Sequence, residues 1–103
     1  MDRVVRRGDV WEVDLDPARG HEQGGRRPCV VVSSDLLHAI PSQLAMLLPI
    51  TKRDRGVPSH VAFDPPEGGA TARSFILCEQ LRTVSQATLD EVVWHLRRML
   101  DLP

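Results

Sequence analysis

Polar stretches bearing glycine or proline cut this chain into short apolar runs, and that punctuation constrains the fold more than any other feature. Residues 18–27 hold three glycines and no aliphatic residue larger than alanine, 52–59 contains Gly56 and Pro58, and 65–69 reads Pro-Pro-Glu-Gly-Gly. The gaps between such breaks suit strands. Asp9 to Asp16 alternates, with Trp11, Val13 and Leu15 on one side and Glu12, Asp14 and Asp16 on the other, which predicts a half-buried strand ended by Pro17. Cys29 to Val32 is continuous and β-branched in character, the pattern of a central strand. Ser34 can cap a helical turn over 35–39 before Pro41 closes it. Leu44 to Ile50 predicts a third strand, with Pro49 imposing an edge or a bulge near its end. His60 to Phe63 predicts a fourth strand, and Ser74 to Thr83 one long strand or two short ones. Helical spacing dominates only near the C-terminus. There Leu89, Val92, Val93, Leu96 and Leu100 fall on one stripe behind Ser85 or Thr88 as a cap, with Glu91 placed for a capping box. The expected fold is mainly β with α: a small barrel with a C-terminal amphipathic helix packed on it.

With 103 residues the chain reads as a single domain over 1–103, and a domain of that size buries about two thirds of its unfolded surface, so a second subunit would help it. Met1 to Gly8 is basic and lacks the apolar core of a signal peptide. The apolar runs fall far short of the roughly 20 residues that span a bilayer, so no membrane association is expected. Cys29 and Cys78 lie inside apolar runs and read as buried thiols, which fits a cytoplasmic protein without a disulfide framework. The net charge of −1, from 13 Lys+Arg against 14 Asp+Glu, argues against a general coat for duplex DNA. The distribution is less even. Arg6-Arg7, Arg26-Arg27 and Lys52-Arg53 with Arg55 all fall at strand ends or in loops, and a fold that gathered them would carry a local basic groove.

Most enzymatic signatures are absent: there is no glycine-rich phosphate loop entering a helix, no Gly-x-Ser-x-Gly and no His-Glu-x-x-His. His21, His38, His60 and His95 lack metal-ligand spacing, and the Asp14–Asp16 pair is expected to be solvated rather than to hold a metal. One segment has the side chains of an anion site. Gly20-His21-Glu22-Gln23-Gly24-Gly25-Arg26-Arg27-Pro28 places an imidazole, a carboxylate, an amide and two guanidiniums in one loop whose glycines permit positive φ and close approach of a ligand. Arg27, held against Pro28 at the start of a central strand, is less mobile than a free loop arginine. By composition alone, an ordinary polar surface loop is the favoured reading of these residues.

Linked motifs narrow the choice. Arg7-Gly8-Asp9-Val10-Trp11, Asp14-Leu15-Asp16-Pro17, Gly20-His21-Glu22-Gln23, Arg27-Pro28 and Val30-Val31-Val32 together resemble the N-terminal signature of the MazF/PemK ribonuclease toxins. Pro49-Ile50-Thr51 resembles the end of that family's third core strand, and Cys78-Glu79-Gln80-Leu81-Arg82-Thr83 its Glu-Gln-x-Arg-Thr segment. The resemblance runs in order through nearly the whole chain. It implies an SH3-like small β-barrel, a homodimer, and cleavage of single-stranded RNA, messenger RNA above all, at short sequences. It implies no metal and no other cofactor. It also implies a cognate antitoxin of the MazE or PemI kind whose C-terminal segment occupies the RNA groove.

The same resemblance assigns roles. Arg27 matches the family's catalytic arginine and Thr51 its catalytic threonine. In the PemK-like branch a histidine of the Gly-His-Glu-Gln loop shares the acid–base work with an Arg-x-Asp pair. Here His21 and Glu79 match the histidine and the acid, but Leu77 stands in the arginine's place. That departure favours the MazF-like arrangement centred on Arg27 and Thr51, with His21 as a helper or an RNA contact. Glu79 has a structural alternative, pairing with Arg82 or another arginine. Glu22, Gln23 and Arg26, and Lys52, Arg53 and Arg55 of the 52–59 loop, are the candidate RNA contacts. Trp11 reads as core because it shares a face with Val13 and Leu15. With Trp11, Phe63, Phe75 and Trp94 as the only aromatics, base stacking on the protein must be limited.

Two rival functions use a similar scaffold. A gyrase-poisoning toxin of the CcdB kind would have no need of Arg27, Thr51 or the Gly-His-Glu-Gln loop. A non-enzymatic SH3-like interaction module would show an aromatic-lined groove, for which a chain without tyrosine is poorly equipped.

Overall fold

A computed structural model describes residues 4–16, 20, 24–64 and 72–95, the side chains of 93–95 excepted. The element order is β1 (Asp9–Asp14), β2 (Arg26–Val31), α1 (Asp35–Ala39), β3 (Leu44–Thr51), β4 (His60–Phe63), β5 (Ser74–Leu77), β6 (Arg82–Ser85), a 3-10 turn (Gln86–Thr88) and β7 (Leu89–His95). All described pairings are antiparallel, in the order β4-β5-β3-β2-β1-β7, with β6 also paired to β3. The sheet is open among the described residues, since β4 and β7 lie at its two ends. The expected closed barrel is therefore not present in this form.

The strand patterns follow from where the two faces go. Trp11, Val13 and Leu15 join Cys29, Val31, Ala45, Leu47 and Leu89 in one core cluster. Val10 and Val30, on the opposite face, join Ile50, Phe63 and Ile76 in a second. Because Cys29–Val31 of β2 is covered on both sides, that part of the strand is continuously apolar rather than alternating. Each fully buried aliphatic side chain contributes about 1.5–3 kcal/mol. Ser34 caps α1 as expected, its hydroxyl accepting from the Leu37 amide.

β3 is an interior strand, not an edge, and Pro49 is accommodated by a change of partner. Leu44–Leu47 pair with β6, while Ile50 and Thr51 pair with β5. Pro49 sits opposite Cys29 of β2 on its other side, so its missing amide falls where β6 has ended and β5 has not begun. The 74–83 segment resolves into two strands, and β5 and β6 take the two halves of β3.

The C-terminal helix is a correction. Leu89–His95 is a strand paired to β1, and Ser85 caps only the 3-10 turn, accepting from Ala87. Two register shifts explain the helical spacing. Val10 faces Trp94 and Trp11 faces Val92, which leaves Val93 as an extra residue; Glu12 faces Glu91 and Val13 faces Leu89, which leaves Asp90 extra. Two extra residues in so short a strand turn a period of two into an apparent period near 3.6. The stripe is not one face: Leu89 is buried, whereas Val92 is 43% exposed. Valine pairs and tryptophan also favour strand over helix. Leu96 and Leu100 lie outside the described residues.

Candidate functional site

The β2–β3 register sets the site. Cys29 pairs with Pro49, Val30 with Leu48 and Val31 with Leu47, so continuing the ladder would set Arg27 opposite Thr51. The pairing ends at Cys29 and Pro49, next to Pro28, which has no amide to extend it. Beyond that point lies a cleft of about 370 Å³ between the strands. Arg27, Lys52, Arg53 and Arg55 line it together with the hydroxyl residues Thr51 and Ser74, over an apolar floor of Pro28 and Ile50. The lining carries four cations and no carboxylate, in a chain of net charge −1. Such a site attracts an anion, and it is a local property that the net charge conceals.

Local hydrogen bonds shape the walls. The Arg27 Nε donates to the Gly24 carbonyl at 3.1 Å, which fixes the guanidinium plane and leaves both terminal nitrogens as donors. Thr51 is buried and its Oγ1 accepts from the Arg53 amide at 3.2 Å, while its own O–H remains a donor. The one acid in the 52–55 stretch is turned to loop-building: Asp54 accepts from the Gly56 amide at 2.9 Å, and Gly56 takes a φ of +66°. Ser74 donates to the Ala72 carbonyl and is fully buried.

Residues 6–100 match the family model of PemK-like, MazF-like toxins of type II toxin–antitoxin systems. The chain belongs to that family. Endoribonuclease EndoA of Bacillus subtilis (strain 168) is 35% identical over 94 residues, 90% of this chain and 81% of the relative. The crystal structure of MazF from Deinococcus radiodurans matches with a TM-score of 0.76 at 27% identity, covering 96% of this chain and 88% of that one. A MazE–MazF crystal structure from the same organism gives 0.69 at 27% identity over 96% and 87%.

In this PemK/MazF-family fold the expected site residues divide into three groups. Arg27, Thr51, Lys52, Arg53 and Arg55 are brought together at the cleft. His21, Glu22 and Gln23 lie outside the described residues. Arg26 and Glu79 are placed elsewhere. Neighbours on a strand project to opposite sides, and Arg26 leaves the cleft for an ion pair with Asp90 and a longer approach of 3.7 Å to Glu12. Asp90 reaches it because it is the extra residue of the β7 bulge.

Glu79 does not pair with Arg82, whose Nη1 donates instead to the Leu15 carbonyl at 2.8 Å. Its carboxylate accepts from Ser59 at 2.9 Å and meets His60 Nε2 at 2.7 Å. Desolvation pushes the Glu79 carboxyl up, but hydrogen bonds from His60, its own amide and Ser59, together with the His60 charge, outweigh it and hold the group down at about 2. The His60 side chain is only 4% exposed. In the sequence His60 is one of four scattered histidines; the His60–Leu77 pairing brings it within reach of Glu79 just past the end of β5, a tertiary relation without a spacing signal. Leu77 is completely buried.

Cys29, next to Pro28 of the cleft lining, is fully buried. Burial above all, with Glu12 nearby, pushes its thiol up to about 12 against the opposing pull of Arg82 and Arg27. Among the described residues no three of His, Cys, Asp and Glu gather as metal ligands, and no helix is long and apolar enough to cross a membrane.

Proposed function

We propose that this toxin is a sequence-specific endoribonuclease that cleaves single-stranded RNA, messenger RNA above all, without a metal ion. The observation that carries the reading is the cleft at which Arg27 and Thr51 meet among three further cations. RNA supplies its own nucleophile. The 2′-hydroxyl attacks the adjacent phosphorus, the bond to the 5′-oxygen breaks, and the products are a 2′,3′-cyclic phosphate and a 5′-hydroxyl. The protein's task is to hold the phosphate, stabilise the charge of the phosphorane and manage two protons. The terminal nitrogens of Arg27 suit two phosphate oxygens, and the Thr51 hydroxyl donates to the same group. Lys52, Arg53 and Arg55 contact flanking phosphates or base edges.

His21 is the candidate for proton transfer. Glu79 suits it less, since a carboxyl held at about 2 is a weak base and its oxygens are occupied by His60 and Ser59. A fully buried Leu77 in the position of the PemK-like arginine supports the arrangement centred on Arg27 and Thr51. Arg26 contacts RNA only if it gives up its pairing with Asp90. The relatives include a MazE–MazF structure, which supports a cognate antitoxin here too; the proposed working form is a homodimer in the cytoplasm.

The test is incubation of the parent and of Arg27→Ala with single-stranded RNA and with DNA of the same sequence, in EDTA. RNA cut by the parent alone, with DNA intact, is the expected result. Uncut RNA across a broad set, with gyrase trapped on DNA, would return the CcdB-like reading.

A further inference from the structure

We propose that Asp16 is a positioning residue for Arg27 and acts through a single peptide group. The inference rests on the reading of Arg27 as the phosphate-stabilising arginine of the cleft. Asp16 Oδ1 accepts the Gly25 N–H at 2.9 Å, and the Gly24 carbonyl accepts Arg27 Nε at 3.1 Å. That N–H and that carbonyl are the two ends of one peptide unit. A carboxylate therefore grips its positive end while a guanidinium grips its negative end, and the peptide dipole favours both contacts.

The surroundings hold this unit in place from each side. Gly25 adopts a φ of +75°, open to glycine and strained for other residues, which turns its amide back towards Asp16. The Leu15 amide donates to the Gly25 carbonyl at 2.9 Å, and Arg82 from β6 donates to the Leu15 carbonyl at 2.8 Å. Asp16 is itself fixed, because its amide donates to Asp14 Oδ1 at 3.0 Å. Asp14 and Asp16 are solvent-exposed, as expected, and both also accept backbone amides at the base of the segment that precedes β2.

The indirect route has a chemical advantage. A carboxylate bound directly to the guanidinium would occupy the donor fork and compete with a phosphate. Relayed through a peptide, the anion fixes the rotation of Arg27 at Nε and leaves both terminal nitrogens for the substrate. Removal of Asp16 frees the 24–25 peptide to turn, and Arg27 loses its orientation while keeping its charge. Binding, which depends on charge, should survive better than turnover, which depends on geometry.

The experiment measures cleavage of a single-stranded RNA oligonucleotide by the full chain, parent against Asp16→Ala and Asp16→Asn. Misplacement of a group can cost up to about 10²-fold, and Asp16→Ala is expected to lower the rate at saturating RNA by at least about tenfold while shifting KM less than about twofold. Asp16→Asn keeps an oxygen acceptor for the Gly25 amide and is expected to recover most of the rate. Nitrogen-15 NMR of the arginine side chains supplies a readout independent of activity. The Arg27 Nε–H is expected to be protected from water exchange in the parent and in Asp16→Asn, and to lose that protection in Asp16→Ala. Where the alanine variant does not fold, Asp16→Glu, which displaces the carboxylate by one methylene, is expected to show the same loss of rate and protection. Parental rate in Asp16→Ala, or a lost rate with the Nε–H still protected, overturns the inference. Failure of the parent reading looks different: Arg27→Ala itself would then cut RNA normally.

Discussion

Arg27 and Thr51 differ in what they can donate, and on the proposed mechanism that difference sets the cost of losing each. Arg27→Lys keeps the charge but loses the planar fork, and rates are expected to fall by roughly 10²–10³, the range for removing a transition-state donor. Thr51→Val keeps the shape of a buried β-branched side chain but leaves the Arg53 amide without its acceptor. It should therefore lose both rate and about 1 kcal/mol of stability, read by single-turnover cleavage and urea unfolding. Glu79 is expected to act on stability rather than on turnover. Its carboxyl lies at about 2 in the folded chain against an ordinary 4.5, so its contribution is complete above pH 4.5 and is lost as the pH falls towards 2. Glu79 is 40% exposed, so that contribution is no more than about 1 kcal/mol after solvent screening. Glu79→Gln should flatten the acid limb of a thermal-stability profile in that window; an unchanged limb would remove Glu79 from the account. Arg27 and Thr51 were picked out in the sequence through the resemblance to the MazF/PemK family, and both line one cleft. Asp16 and His60 were not, since their partners Gly25 and Glu79 are fixed by backbone turns and strand register.

At the scale of the elements, two prolines and two bulges position the cleft. Pro28 and Pro49 flank the end of the β2–β3 ladder, and Arg27 and Thr51 line the opening beyond them. The bulges in β7 place Leu89 in the main core and send Asp90 to Arg26, which anchors the first residue of β2 from outside. Leu89→Ala should therefore cost about 2–5 kcal/mol, seen as a lower urea midpoint with an unchanged slope. A loss below about 0.5 kcal/mol would contradict the burial assigned to this strand. The early strands could be read from alternation and punctuation, since they run without interruption. The C-terminal segment could not, because a bulge changes the apolar period without leaving a residue-type signature. Pro49 predicts an edge or a bulge, whereas the change of partner that accommodates it is tertiary.

For the whole molecule, a near-neutral chain concentrates cations at one opening. On the proposed function, RNA affinity should fall with salt. Replacing Lys52, Arg53 and Arg55 by glutamine should then reduce the slope of log K against log salt by about 0.7 for each phosphate of a single strand that these cations neutralise. An unchanged slope would assign RNA binding to another surface. The fold class was legible as mainly β, whereas closure into a barrel was not, because edge pairing depends on how far each strand bends. The central claim is that RNA breaks itself at a phosphate held by Arg27 and Thr51. Its most direct test is an RNA oligonucleotide with one 2′-deoxy nucleotide placed 5′ to the mapped cleavage position, in EDTA. The account predicts that the parent leaves this oligonucleotide intact and cuts the all-ribose version to a 2′,3′-cyclic phosphate and a 5′-hydroxyl. Equal cleavage of both, with a 5′-phosphate on the product, would contradict it.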